Sequence, residues 1–226
     1  MTPERYQRLQ QILTRRQPDL TVLMDNVHKS HNLSAILRSC DATGVYRAHA
    51  VYDRTTIRPK KGIASGGGKW VKLQTHPTIG QALDHLRQQN MQLVAADVSA
   101  QAVDFREVDY TLPTAVILGA EKSGPDAAVF EQADKVITIP LSGMVDSLNV
   151  SVAAALILFE AQRRRQAAGL YVTSRLPAEE YATTLFEWLH PKLARFYRAK
   201  RLPYPPLRED GEVIEADEHI LARMGK

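Results

Sequence analysis

Two rhythms of apolar positions alternate along the chain. Residues 20–27, LTVLMDNV, form an almost unbroken apolar run of strand length. The next segment, HNLSAILRSCDATG, places Leu33, Ile36, Leu37 and Cys40 at i, i+3, i+4 and i+7, the spacing of one helix face, with Gly44 as its stop. The pattern then predicts strands at 47–52, 70–74, 91–96, 114–118 and 136–139. Between them fall helices at 78–89 and 126–133, and a long helix closes the series near Gly169. Strands alternating with helices predict an α/β domain, a mainly parallel sheet with helices on both faces.

The ends follow other rules. Thr2-Pro3-Glu4 reads as a cap, a first-turn proline and a first-turn acid, which predicts a helix to Arg16, before Pro18. PAEEYATTLFEWLHPKLARFYRAK predicts two helices broken near Pro191, and LPYPPLRED begins a loosely ordered acidic tail. The expected organisation is an N-terminal helical extension (1–19), a main domain (20–169), a C-terminal helical extension (170–202) and a tail (203–226). Val150–Phe159 holds one polar residue, Ser151, yet is far shorter than the roughly 20 apolar residues of a membrane span. It is therefore a core helix, apolar around its whole circumference. A sheet on one side leaves the other needing cover, from a second subunit or from another helix of the chain.

Composition narrows the class. The chain has 226 residues and one cysteine, which excludes an intrachain disulfide framework. Its start, MTPERYQRLQ, is too polar for a signal peptide, so a soluble cytoplasmic protein without a membrane anchor is expected. Of 29 basic and 25 acidic side chains, three and six fall in 207–226, so a basic body carries an acidic tail. Basic clusters at Arg15–Arg16, Arg58–Lys61, Arg163–Arg165 and Lys192–Arg201 point together toward a nucleic acid, although each alone is compatible with a solvated surface.

Ligands of open parallel sheets bind beyond the carboxyl ends of the strands. Three exits stand out: Ala96-Asp97, then Ala120-Glu121-Lys122-Ser123-Gly124, then the loop from Pro140 to Leu148 that runs into Ser147, Asn149 and the apolar helix. Helix capping accounts for Ser147 and Asn149 as well as chemistry does. Arg38 lies off the apolar stripe of its helix, on the side of Ser34 and Asp41, and Asp41 at i+3 offers it a partner. SGGGK lacks the spacing of a phosphate loop, no strand is followed by G-x-G-x-x-G, and no G-x-S-x-G elbow exists. His28 and His31 have no companions at metal-ligand spacing, so no metal is expected.

Taken in order, HNLSAILRSCDATG, ILGAEKSG and IPLSGMVDSLNVSVAAALILFEAQRRR resemble the three motifs of the SPOUT superfamily of RNA methyltransferases. The likeness is nearest to its tRNA 2'-O-ribose branch, typified by TrmH, and extends through about Arg198. It implies a C-terminal trefoil knot, S-adenosyl-L-methionine bound in the knot, and a homodimer with the active site at its interface. The implied activity is methylation of the ribose 2'-oxygen of guanosine 18 in the tRNA D-loop. By the same resemblance Arg38, Asn32, Glu121, Ser147 and Asn149 are catalytic. Ala96, Gly119, Ile139, Met144 and Leu148 hold the cofactor, and Arg8, Arg16, His31, Arg163 and Arg165 contact tRNA. Two alternatives stay open: methylation of ribosomal RNA or another tRNA nucleotide, and a non-catalytic RNA-binding protein on the same scaffold.

Overall fold

The computed structural model describes residues 2–51, 69–120 and 123–214. The basic glycine-rich loop around Arg58–Lys61, with SGGGK as far as Gly68, Glu121 and Lys122, and the last twelve residues lie outside them. The chain divides into two compact units, residues 16–172 and residues 1–15 with 173–226.

Among the described residues the larger unit has seven strands: β1 (Leu20–Asp25), β2 (Arg47–Val51), β3 (Lys72–His76), β4 (Gln92–Ala96), β5 (Val103–Asp104), β6 (Thr114–Leu118) and β7 (Lys135–Thr138). Their order across the sheet is β3-β2-β1-β6-β4-β7-β5, and every adjacent pair is parallel. Helices α2 (Ser30–Ala42), α3 (Ile79–Gln88), α4 (Ala127–Gln132) and α5 (Val150–Ala167) cover it. Because side chains alternate along a strand, β1 sends Leu20, Val22 and Met24 to one core with Leu33, Ile36, Ile157 and Leu158 of α2 and α5. Leu23 of the same strand meets Leu83 and Leu86 of α3 and Val129 of α4 on the other face. That two-sided burial is why the strands read as continuous apolar runs.

Several boundaries differ from the sequence reading, among them β3, which runs over Lys72–His76 rather than 70–74. Strand β1 stops at Asp25 because Asn26 turns to a φ of 53°, a left-handed conformation no strand continues through. Helix α1 (Pro3–Thr14) ends two residues early. Strand β5 was not predicted, since two residues are too short to show a period of two.

In the smaller unit α1 packs with α6 (Ala178–Leu189), where Tyr181 Oη lies 3.5 Å from Thr14 Oγ1. Helix α7 (Pro191–Lys200) follows at once. The expectation of a loose tail from 203 is corrected for 203–214: Tyr204 stacks on Phe186 with ring centroids 4.5 Å apart, and Leu207 pairs with Val213. Pro203, Pro205 and Pro206 restrict the backbone and so reduce what this ordering costs in entropy.

Two buried polar sets brace the larger unit. Arg165 is 0% exposed and donates from Nε to Tyr110 O, from Nη1 to Gln17 Oε1 and Asp19 Oδ1, and from Nη2 to Asp19 O and Leu112 O. It ties the end of α5 to the segments entering β1 and β6. His49 of β2 and His76 of β3 are both buried, with Nδ1 and Nε2 2.9 Å apart, and His85 of α3 completes the cluster. Burial, then the neighbouring His76, His85 and Arg47, push His49 down to about 3, and burial with His85 also lowers His76.

Removing one partner of a buried charge pair leaves the other uncompensated, so Arg165→Met is expected to cost about 3 kcal/mol or more in urea denaturation. The histidines supply a pH test. The unfolded chain takes up their protons near pH 6.5 while the folded cluster refuses them, so stability falls as pH drops from 6.5 toward 4.5. His49→Leu should flatten that part of the urea midpoint profile.

Candidate active site

Register brings the predicted exits together. Ala96 of β4 lies beside Leu118 of β6 and Ile137 of β7, so the three chains leave the sheet level with one another at adjacent positions. Beyond that edge is a cavity of about 340 Å³. Leu118, Ile137, Ala153 and Ile157 give it an apolar floor, and the loops after β4, β6 and β7 supply its walls. Of the expected cofactor residues, Ala96, Gly119, Ile139 and Leu148 line it. Met144 does not: its side chain is 99% exposed. Asp97, Ser123, Thr138 and Leu141 also line the cavity and were not anticipated as site residues. Their signal in the sequence was adjacency, because each lies in or next to one of the three exits.

Gly119 has a reason of its own. A Cβ there would sit 2.0 Å from Gly124 C and from Pro125 N, inside the backbone of the following loop. The close approach at Gly119 is thus of backbone to backbone. Gly124 N donates to Ala120 O at 2.9 Å and closes the turn, with Gly124 at a φ of +67°. The turn is held from below by Asp25, whose Oδ2 accepts from Asp126 N at 2.8 Å while Asp126 Oδ1 caps α4 by accepting from Ala128 N. Burial raises the Asp25 carboxyl above the ordinary carboxylate value, and the Asp126 amide opposes that rise.

On the other side of the cleft, Asn149 is the N-cap of α5. Its Oδ1 accepts from Ser151 N and Ser151 Oγ, while its Nδ2 donates to Asn32 Oδ1 at 3.3 Å. Asn32 is buried within the first turn of α2, so this pair joins two of the three motifs through space. Ser147 lines the cavity. Arg38 stands exposed six residues along α2 from Asn32, about 9 Å of helix rise, and is not among the residues lining the cavity. Its expected partner Asp41 is engaged instead by the buried Arg16.

The arginines expected to meet RNA divide sharply. Arg8, His31 and Arg163 are exposed, and Arg163 shares Glu160 with Arg164, whose hydrogen bonds hold that carboxyl down to about 2. Arg16 and Arg165 are corrected: at 1% and 0% exposure their guanidinium groups are committed to internal carbonyls and carboxylates. Glu121 lies outside the described residues. Among the described residues no group of three ligating side chains is arranged for a metal ion, and no helix is long and apolar enough to cross a membrane.

A parallel α/β sheet with a cleft at the carboxyl ends of three adjacent strands, floored by apolar side chains and walled by loop backbone, defines a binder of a nucleoside-sized ligand. The chain belongs to the SpoU rRNA Methylase family, which it matches over residues 19–159, and residues 163–216 match the family's C-terminal region. It is 51% identical over 226 residues to the tRNA (guanosine(18)-2'-O)-methyltransferase of Escherichia coli (strain K12), covering 99% of this chain and 98% of that one. Among solved structures, the TrmH/SpoU tRNA modifying enzyme of A. aeolicus superposes with a TM-score of 0.75 at 42% identity, over 82% of this chain and 94% of that one. The SpoU methyltransferase AviRb from Streptomyces viridochromogenes, in complex with the cofactor AdoMet, superposes at 0.57 and 28% identity, over 67% and 62% of the two chains.

The Gly119 contact is directly testable. Gly119→Ala forces the loop off the strand, so calorimetry should show loss of cofactor binding together with a lower melting temperature. Gly80→Ala, with nothing within 4 Å of its Cβ, should retain both.

Proposed function

We propose that this chain methylates the ribose 2'-oxygen of guanosine 18 in the tRNA D-loop, with S-adenosyl-L-methionine as donor. The single observation that carries the reading is the convergence of the second and third motifs with the exit of β4 on one cavity, in a chain alike over its whole length to an enzyme of that name; the first motif joins them through Asn32, which accepts from Asn149. The residues fit the donor: an apolar floor for adenine and thioether, and backbone at close range on the walls. When bound, the donor supplies an electrophilic methyl group. What the chain must add is position, charge and exclusion of water.

Arg38 is the catalytic cation. A guanidinium is a poor proton acceptor, so its role is to clamp an RNA phosphate and stabilise the negative charge developing on the 2'-oxygen. Transfer would join the 2'-oxygen to the donor's methyl carbon and break that carbon's bond to sulfur, with the hydroxyl proton passing to water while Arg38 offsets the charge on the oxygen. Asn32 and Asn149 orient ribose or guanidinium, Ser147 holds the loop at the start of α5, and Glu121 positions the loop after β6. Arg8, His31 and Arg163, all exposed, bind the tRNA backbone.

The working form is a homodimer in the cytoplasm, with the trefoil knot of the superfamily in its C-terminal half. Support for the dimer is the outer stripe of α5: Val152, Leu156 and Phe159, at i, i+4 and i+7, are 47%, 42% and 50% exposed, and Met144 and Val145 extend the apolar surface. Arg38 does not line its own chain's cavity, and an active site shared across that interface uses it in a partner's. Support for the knot is the late strand β6 pairing between β1 and β4, together with family membership.

Two variants and a map of the methylated nucleotide test this. Arg38→Ala should lower methyl transfer to tRNA by orders of magnitude while calorimetric affinity for the donor stays within about twofold. Near-normal turnover removes Arg38 from the mechanism, and a methylated nucleotide mapped outside position 18 redirects the substrate. Phe159→Lys should convert the dimer to a monomer in sedimentation, and a dimer that persists rules out the α5 stripe as its interface.

A further inference from the structure

Within the cavity one side chain is left without a task. Asp97 is the only formally charged residue among the described residues that line it. The apolar floor around it strengthens any charge interaction. Its backbone is rigidly placed, since Asp97 N donates to Ile137 O at 3.0 Å and so prolongs the pairing of β4 with β7. The carboxylate reaches toward the opposite wall: a Cβ on Gly124 would lie 3.2 Å from Asp97 Oδ1, and the glycine leaves that space to the oxygen.

Several other carboxylates of this unit have evident work. Asp25 accepts from the Asp126 amide, Asp19 and Asp41 pair with Arg165 and Arg16, and Asp134 pairs with Arg87. The Asp97 carboxylate forms no hydrogen bond or ion pair among the described residues. A half-buried carboxylate at an apolar cavity wall favours a cationic ligand. The donor and its product differ at that point: the donor carries a sulfonium, the product a neutral thioether. Resting on the reading of the cavity as the donor site, we propose that Asp97 is a specificity residue that recognises the sulfonium charge and so favours donor over product. Methyl transfer cancels the charge it holds, which weakens retention of the product and aids turnover.

Calorimetry on the full chain separates the possibilities with three probes: S-adenosylmethionine, S-adenosylhomocysteine, which keeps the ammonium but not the sulfonium, and 5'-methylthioadenosine, which has neither. Asp97→Asn keeps the shape and an acceptor oxygen but removes the charge. The expected result is a loss of about tenfold or more for S-adenosylmethionine, with the other two changed by less than about threefold. Equal losses for all three would make Asp97 an acceptor for ribose hydroxyls and overturn the proposal. Equal losses for the first two alone would assign it to the ammonium and also overturn it, as would no change in any. Asp97→Ser, with melting temperature as the control, serves if the asparagine variant does not fold. If the unaltered chain binds none of the probes, it is the donor-site reading that fails.

Discussion

Strand β6 pairs on both sides over its full length, Leu20–Met24 of β1 against Thr114–Leu118 on one edge and Gln92–Ala96 of β4 on the other. Every residue of it is buried. Because both registers are parallel and in step, the carboxyl ends of β4, β6 and β7 are level, and the polar loops that follow have nowhere to go but a common edge. A slip of one residue would turn the alternating apolar set of β6 to the wrong face. The same pairing that buries the centre of the sheet therefore assembles the cleft.

The cleft walls rest on contacts that are themselves structural. Gly119 lets the backbone at the exit of β6 touch the backbone at Gly124 and Pro125, and the buried Asp25 fastens the amide one residue further on. Across the cavity, Asn149 ends its helix and reaches Asn32 with the same side chain. Helix capping and chemistry, which compete as explanations of Asn149 on paper, coexist in one amide. Its carbonyl oxygen serves the helix and its nitrogen serves the neighbouring motif.

Charge is organised by burial rather than by sequence neighbourhood. Arg163, Arg164 and Arg165 are consecutive, yet the first two face outward and share Glu160, whereas the third is sealed among the segments entering β1 and β6. Successive residues on a helix are about 100° apart, so three in a row span about 200° and can present one side chain inward while the others face out. The effect of Arg165 on RNA binding, if it has one, acts through the packing of α5.

Much of this was legible in the chain itself. Helix-face spacing, caps and prolines placed the α-helices of the described residues, continuous apolar runs placed six of their seven strands, and the polar residues following those runs named the three loops of the cleft. Local interactions govern those features, so local sequence carries them. Strand order, register and the sharing of Asp41 by Arg16 rather than Arg38 depend on residues far apart in the chain, and no window of sequence contains them. The close approach behind Gly119, the burial of Arg16 and Arg165, the exposure of Met144 and the ordering of Tyr204 on Phe186 belong to the same class. Sequence by itself determined which elements form and which chemistry they carry. Tertiary structure alone decided which side chains face one another, because burial is a property of the packed interior and not of any segment within it.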